Sequence, residues 1–205
     1  MRSSKHSETK IKANKIKFSN ILLLILIIVA IVLIIIIGTK YSDRKKNDEA
    51  VKEVVSQIND EVQNSNDNDF PYIQYDGYQV IGTIQISKIN IEYPILIESN
   101  EETLNKSITR VGDGTVNGIG NLTLAGHNYI DGSMFGKIDE LEIDDELSIL
   151  DLNGNRVTYK IFDKFVTDPN DVSVLEPLQE STREVTLITC INGNKNRLIL
   201  KAREI

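Results

Sequence analysis

Across 205 residues there are one cysteine and two histidines, the side-chain types whose ordinary pKa values lie nearest neutrality. A lone Cys190 excludes an intramolecular disulfide and any zinc site built from several cysteines. His6 lies in a basic tail, so His127 is the one imidazole of the folded part. The glycine-rich stretch Gly112, Gly114, Gly118 and Gly120 lacks the Lys-Ser/Thr ending of a phosphate loop and reads as a connection. Basic residues are scarce beyond the N-terminal region. Residues 1–46 hold ten Lys/Arg and two Asp/Glu, whereas the remainder holds 13 and 28, a balance near −15. That charge argues against nucleic acid as a partner of the folded part.

Apolar sequence is concentrated instead in one run. Met1–Asn20 is polar and basic, and Ile21–Ile37 is unbroken apolar sequence leading into Gly38. With its flanks it approaches the ~20 residues that cross a bilayer. A cleaved signal peptide would have a shorter apolar region of ~7–15 residues and a small-residue cleavage site, which Gly38-Thr39-Lys40-Tyr41 does not provide. The expectation is an uncleaved single-pass anchor over 21–39. Lys40, Arg44, Lys45 and Lys46 add charge on the far side, but the N-terminal flank has more. The positive-inside rule then places residues 1–20 in the cytoplasm and the C-terminal domain outside.

Residues 40–69 read as an extracellular linker. Within it Val51, Val54, Val55, Ile58 and Val62 recur at helical spacing among charged residues, predicting an amphipathic helix over Asp48–Val62. Polar Asn64–Asp69 marks the boundary of a domain spanning 70–205. There the pattern is β: strands at Val80–Ile86, Ile89–Ile97 (interrupted by Pro94), Asn121–Ala125, and a hairpin Glu146–Leu152/Arg156–Val166 around Asn153-Gly154. A short helix is expected at Glu101–Ile108, opened by a capping box from Ser99, and a helical turn at Ser133–Leu141. Asp168–Glu180 is a long loop, a length more often functional than filler. Many short strands with few helices indicate an all-β barrel or sandwich.

The last hairpin carries the chemistry. Glu184–Cys190 and Arg197–Glu204 flank an Asn-Gly turn. A loop of two residues or of four puts Arg197 on the sheet face of Cys190, because side chains alternate with period two; an odd-length loop would not. A thiolate is the attacking species, and a neighbouring cation favours it. An imidazole can protonate a leaving amine and deprotonate an incoming one. A guanidinium keeps its charge and suits an oxyanion or substrate carbonyls. His127, at the end of another strand, completes a set of three.

Thr186-Leu187-Ile188-Thr189-Cys190 resembles the Thr-Leu-x-Thr-Cys motif of sortases, the cysteine transpeptidases of Gram-positive cell surfaces. Leu124-Ala125-Gly126-His127-Asn128 resembles their Ala-Gly-His segment, and Arg197 falls where their essential arginine opens the last strand. Papain-like peptidases place cysteine before histidine, and the Ser-His-Gly-Cys motif of L,D-transpeptidases is absent. The resemblance covers about 77–204, including Asp171–Leu175 in the long loop.

This resemblance implies an eight-stranded sortase-type β-barrel with short helices, preceded by the transmembrane helix. It implies a thiol protease-like enzyme in which Cys190 attacks the Thr-Gly bond of a Leu-Pro-x-Thr-Gly-like sorting signal. An amine of a peptidoglycan precursor would then resolve the thioacyl intermediate, anchoring surface proteins to the cell wall. His127 would be general acid and base, Arg197 the oxyanion and substrate-backbone contact, and Thr189 a supporting substrate-binding contact. Val174 and Leu175 would line the sorting-signal groove. An N-terminal anchor without a C-terminal span resembles class A or class D; Asn68-Asp69-Phe70-Pro71 is only faintly similar to a class C lid. No cofactor or metal is expected, although some class A members bind calcium, for which Glu98, Glu101, Glu102, Asp168 and Asp171 are the carboxylates to consider; a solvated acidic surface is the simpler reading. The alternative function is a non-catalytic, membrane-anchored β-barrel that binds cell-surface partners. Hydrolysis rather than transfer is a further outcome, differing only in what resolves the intermediate.

Overall fold

The computed structural model describes residues 4–64, 72–177, 179 and 181–205. The expected boundary at Asn64–Asp69, beyond its first residue, and the Asn68–Pro71 segment lie outside them. The chain divides into two compact units at Asp48/Glu49.

In the first unit the backbone is helical from Ser4, the start of α1 (Ser4–Asn64). The large apolar side chains of Ile21–Ile37 are all exposed. Among the described residues this is the one helix long and apolar enough to cross a membrane.

The second unit opens with the last turns of α1. Val51, Val55 and Ile58, spaced for one helical face, are buried within this unit's hydrophobic core, Ile58 completely. Nine strands follow: β1 (Gln74–Tyr75), β2 (Tyr78–Ile86), β3 (Ile91–Leu96), β4 (Ile108–Val111), β5 (Gly120–Ala125), β6 (Glu146–Asp151), β7 (Arg156–Thr167), β8 (Arg183–Ile191) and β9 (Asn196–Glu204). The sheet runs β1-β2-β3-β4-β5-β8-β9-β7-β6, and β2 also pairs with β6. Strands β2 to β9 therefore close into an eight-stranded barrel, with β1 a two-residue extension of its edge. Closure removes the free strand edges that would otherwise template aggregation.

Alternation fills the barrel. Leu122 and Leu124 of β5, Val185 and Leu187 of β8, and Leu198, Leu200 and Ala202 of β9 all point into the core. Their neighbours Asn121, Thr123, Thr186, Ile188, Cys190, Arg197, Ile199 and Lys201 consequently point outward on three adjoining strands. That outer face carries the site.

Local details differ from the sequence pattern where tertiary pairing competes. The expected helix over Glu101–Ile108 is a single turn, α2 (Glu101–Leu104), because Ile108 is drawn into β4 beside Ile95 of β3. Its cap is Asn100, not Ser99: the Asn100 side chain accepts from Thr103 N, and Thr103 Oγ1 accepts from Asn100 N. The strand expected from Ile89 starts at Ile91, after a 3-10 turn over Ser87–Ile89. Pro94 sits where β3 has a neighbour on one side only, since β4 pairs at Ile95 and Leu96; the bulge lies in β2, between Val80 and Gly82. The helical turn expected within Ser133–Leu141 is there as a 3-10 turn at Ile138–Glu140, preceded by a turn in which Gly136 N donates to Ser133 O.

Candidate active site

The β8–β9 turn is Asn192–Lys195, four residues long. Asn192, Gly193 and Asn194 all take the left-handed conformation, at φ 53°, 64° and 70°. Asparagine and glycine are the residues that accept this region at least cost, which is why this sequence can turn so tightly. The even count makes Cys190 and Arg197 direct cross-strand partners. Arg197 in turn opposes Thr167 of β7. Cys190 is a free thiol and half-buried, and Arg197 is half-buried with its Nη1 3.2 Å from the carbonyls of both Asn194 and Asn196.

His127 reaches this place by a parallel pairing. Strand β5 lies along β8 with Leu124 beside Leu187 and Ala125 beside Ile188. Carrying the register two residues further sets His127 beside Cys190, both on the outward parity. Specific bonds hold that extension. Gly126 N donates to Ile188 O at 3.2 Å, Thr189 Oγ1 donates to Gly126 O at 2.7 Å, and Asn128 Nδ2 donates to Cys190 O at 3.0 Å. Phe135 N closes the far side on His127 O at 3.0 Å. The His127 ring is half-buried and tilted against Tyr129, with centroids 5.1 Å apart.

Glycine is required just before the histidine. A Cβ at Gly126 would come within 2.7 Å of Ile108 Cδ1 and 2.9 Å of Phe135 Cδ2, closer than packed carbons approach. The backbone there passes directly over core side chains.

Thr189 lies on the opposite face from Cys190 and is almost fully buried. This corrects the expected substrate contact: the Thr189 hydroxyl is turned away from the Cys190 face and donates to Gly126 O beneath the histidine segment. The β7–β8 loop contains a 3-10 turn, Val172–Leu175, packed against β5. Val174 is buried and Leu175 half-buried, and Asn121 Nδ2 donates to both of their carbonyls, at 3.1 and 2.9 Å.

Asn121, Asn128 and Lys201 have no individual sequence signature. Asn128 adjoined a recognisable motif, but its bond to Cys190 is between residues 62 positions apart. Lys201 is 3 % exposed and its Nζ donates to Glu176 O at 3.1 Å. Desolvation pushes its ammonium pKa down, against the opposing pull of Glu184, Asp163 and Asp171.

The acidic residues near the loop are engaged locally. Asp168 accepts from Asn170 N, and Asp171 caps the 3-10 turn by accepting from Ser173 N at 3.0 Å and from the Thr167 hydroxyl at 2.6 Å. Hydrogen bonds from the Ser173 hydroxyl, then the Thr167 hydroxyl, hold the Asp171 carboxyl below its ordinary range. Glu98, Glu101 and Glu102 are exposed. Among the described residues no group of three or more His, Cys, Asp or Glu is arranged to hold a metal ion.

Comparison with known proteins bears on the family and the fold. A family model described as a sortase domain matches residues 84–205. Sortase A of Bacillus anthracis is 34% identical over 122 residues, covering 59% of this chain and 57% of that protein. Sortase D of Bacillus subtilis (strain 168) is 32% identical over 113 residues, covering 55% and 54%. The match thus spans little more than half the length of each of these relatives. Among solved structures, a Clostridium perfringens sortase D5 transpeptidase superposes with a TM-score of 0.64 at 28% identity, covering 78% of this chain and 98% of that one. Sortase A from Corynebacterium diphtheriae, at 21% identity and a TM-score of 0.58, shares the fold.

Proposed function

The chain belongs to the sortase family, and from that premise we propose that it is a membrane-anchored cysteine transpeptidase acting on sorting signals of the Leu-Pro-x-Thr-Gly type. The observation that carries the reading is the shared register: Cys190 opposes Arg197 across β8–β9, and the β5–β8 pairing ends two residues before His127 and Cys190, where the Asn128 side chain bonds the Cys190 carbonyl.

In this reading the Cys190 thiolate attacks the threonine carbonyl carbon of the Thr-Gly bond. The carbonyl electrons move onto oxygen, where the Arg197 guanidinium stabilises the developing charge. Collapse expels the glycine amine, protonated by His127, and leaves a threonyl thioester on Cys190. An amine of a peptidoglycan precursor then loses its proton to His127 and attacks the thioester. The products are a new amide and the regenerated thiolate. Thr189 and Asn128 hold the His127 segment against β8, and the loop bearing Val174 and Leu175 flanks the approach. The apolar run Ile21–Ile37 anchors the enzyme in the cell membrane, with the basic tail in the cytoplasm and the barrel outside.

Two names among the relatives, sortase A and sortase D, accord with a class A-like or class D-like enzyme. The deciding experiment incubates the detergent-solubilised chain with a sorting-signal peptide library and reads intact mass, with and without added amines. The expected result is a thioester on the native protein, released to an amide by amine, and neither event in the Cys190→Ala variant. Cleavage that persists in Cys190→Ala sinks the proposal. A thiol that forms no thioester with any peptide leaves a non-catalytic surface-binding barrel as the function.

A further inference from the structure

Three consecutive carbonyls at the end of the 3-10 turn in the β7–β8 loop are held by side chains from the outer face of the barrel. Asn121 of β5 donates to Val174 O and Leu175 O, and Lys201 of β9 donates to Glu176 O. The Asn121 amide is itself fixed on both sides: its Oδ1 accepts from the Thr186 hydroxyl at 2.9 Å, and its Nδ2 lies 3.2 Å from Thr123 Oγ1. At the other end of the turn, Asp171 is bonded to Thr167, the cross-strand partner of Arg197. The turn is thus fastened to β5, β7 and β9, which also carry the His127 segment and Arg197.

Packing alone does not explain a lysine here. Taking an ammonium out of water is costly, and an apolar chain such as methionine would fill the space of the lysine stem without that cost. What lysine adds is a charged donor aimed at a carbonyl where the 3-10 turn ends. Terminal carbonyls of a helical turn lack partners within it and favour a cation. Asn121 supplies the preceding two carbonyls with a donor that neither aspartate nor leucine of similar size could provide.

We propose that Asn121 and Lys201 are positioning residues that latch the β7–β8 loop against β5 and β9, and so set how tightly and how selectively a sorting-signal peptide reaches Cys190. The proposal rests on the transpeptidase reading for its substrate, but the latch itself is a property of the fold. Asn121→Ala and Lys201→Met each remove donors while keeping the surrounding apolar contacts. Losing bonds of this kind corresponds to a change of about 5- to 10-fold in a local equilibrium.

The test uses the full chain in detergent micelles. Hydrogen exchange at the amides of Ser173 and Glu176, both bonded within the turn, is expected to quicken by about 5- to 10-fold in both variants, with β8 and β9 amides unchanged. For the peptide cleaved best by the native enzyme, KM is expected to rise by about the same factor while kcat stays within about twofold, the pattern of lost substrate positioning. Discrimination against peptides altered at the leucine or proline should narrow. The rate of Cys190 alkylation by iodoacetamide, which needs no groove, should not change.

Unchanged exchange in both variants overturns the latch. Faster exchange with unchanged KM and selectivity overturns the positioning role. An equal fall in kcat and alkylation rate also overturns it, since the variants would then act on the thiol itself. Should the native protein turn over no peptide, the transpeptidase reading and the selectivity role fall together, whereas the exchange result still decides the latch.

Discussion

The side-chain amide of Asn128 donates to the backbone carbonyl of Cys190 at 3.0 Å, tying the residue after the histidine to the cysteine itself. With the Thr189–Gly126 bond it brackets His127 between two fixed points on β8. Asn128→Ala removes one of the two. A net loss of about 1 kcal/mol corresponds to roughly fivefold in the population of the correctly placed segment. The expected outcome is a kcat/KM lowered about fivefold with little change in unfolding midpoint. A variant with native kinetics would show that Asn128 does not position the histidine.

Arg197 tests the chemistry on the opposite strand. Its guanidinium offers several donors in a plane, whereas lysine offers a compact charge on a different stem. If it stabilises an oxyanion, Arg197→Lys should lower kcat by about 100-fold or more, the scale of one lost oxyanion donor. Loss confined to KM, with kcat retained, would assign it to uniform substrate binding instead. Single-turnover acylation of a sorting-signal peptide separates these outcomes.

Ile58 tests whether the last turns of α1 belong to the barrel domain. It is fully buried among barrel side chains. Ile58→Ala should destabilise the domain by about 2–5 kcal/mol, the usual cost of a large-to-small change in a packed core. Denaturant unfolding followed by the near-ultraviolet signal of the barrel tyrosines measures it. A shift no larger than that of a surface substitution would mean the helix is only a spacer.

Asp171 carries a pH signature. Its folded carboxyl is held below the ordinary range by the Ser173 and Thr167 hydroxyls. A carboxylate with a depressed folded pKa contributes stability that is present above its unfolded value, about 3.9, and is lost as pH falls through the folded value. The native protein should therefore lose stability on acidification below about pH 4 more steeply than Asp171→Asn. Thermal midpoints of the two proteins, measured from neutral pH downward, check the sign. Parallel curves would show that the capping bonds do not distinguish the charged form.

Much of the site was legible before any coordinates. The hairpin around Asn192-Gly193, the strand leading to His127 and the apolar run of Ile21–Ile37 follow from local rules, as does the face shared by Cys190 and Arg197 once the loop has an even number of residues. Alternation in strands and the tolerance of asparagine and glycine for positive φ act within a few residues, so adjacent sequence expresses them. The Glu101–Ile108 helix was overestimated because its last residue is claimed by a parallel partner, Ile95, that local propensity cannot see.

What only the tertiary structure decided is distance across the chain. Closing at Lys195 rather than at Gly193, the four-residue loop selects the register that makes Cys190 and Arg197 direct partners. The β5–β8 alignment, between segments some sixty residues apart, runs to Ala125 beside Ile188, and the Asn128–Cys190 bond ties the next residues of the two segments together. Asn121, Asn128 and Lys201 look like ordinary polar residues until the barrel closes and gives each a carbonyl to hold. Periodicity determines which face a side chain takes. Which residue it meets on that face depends on the pairing of strands far apart in sequence, and that pairing exists only in the folded barrel.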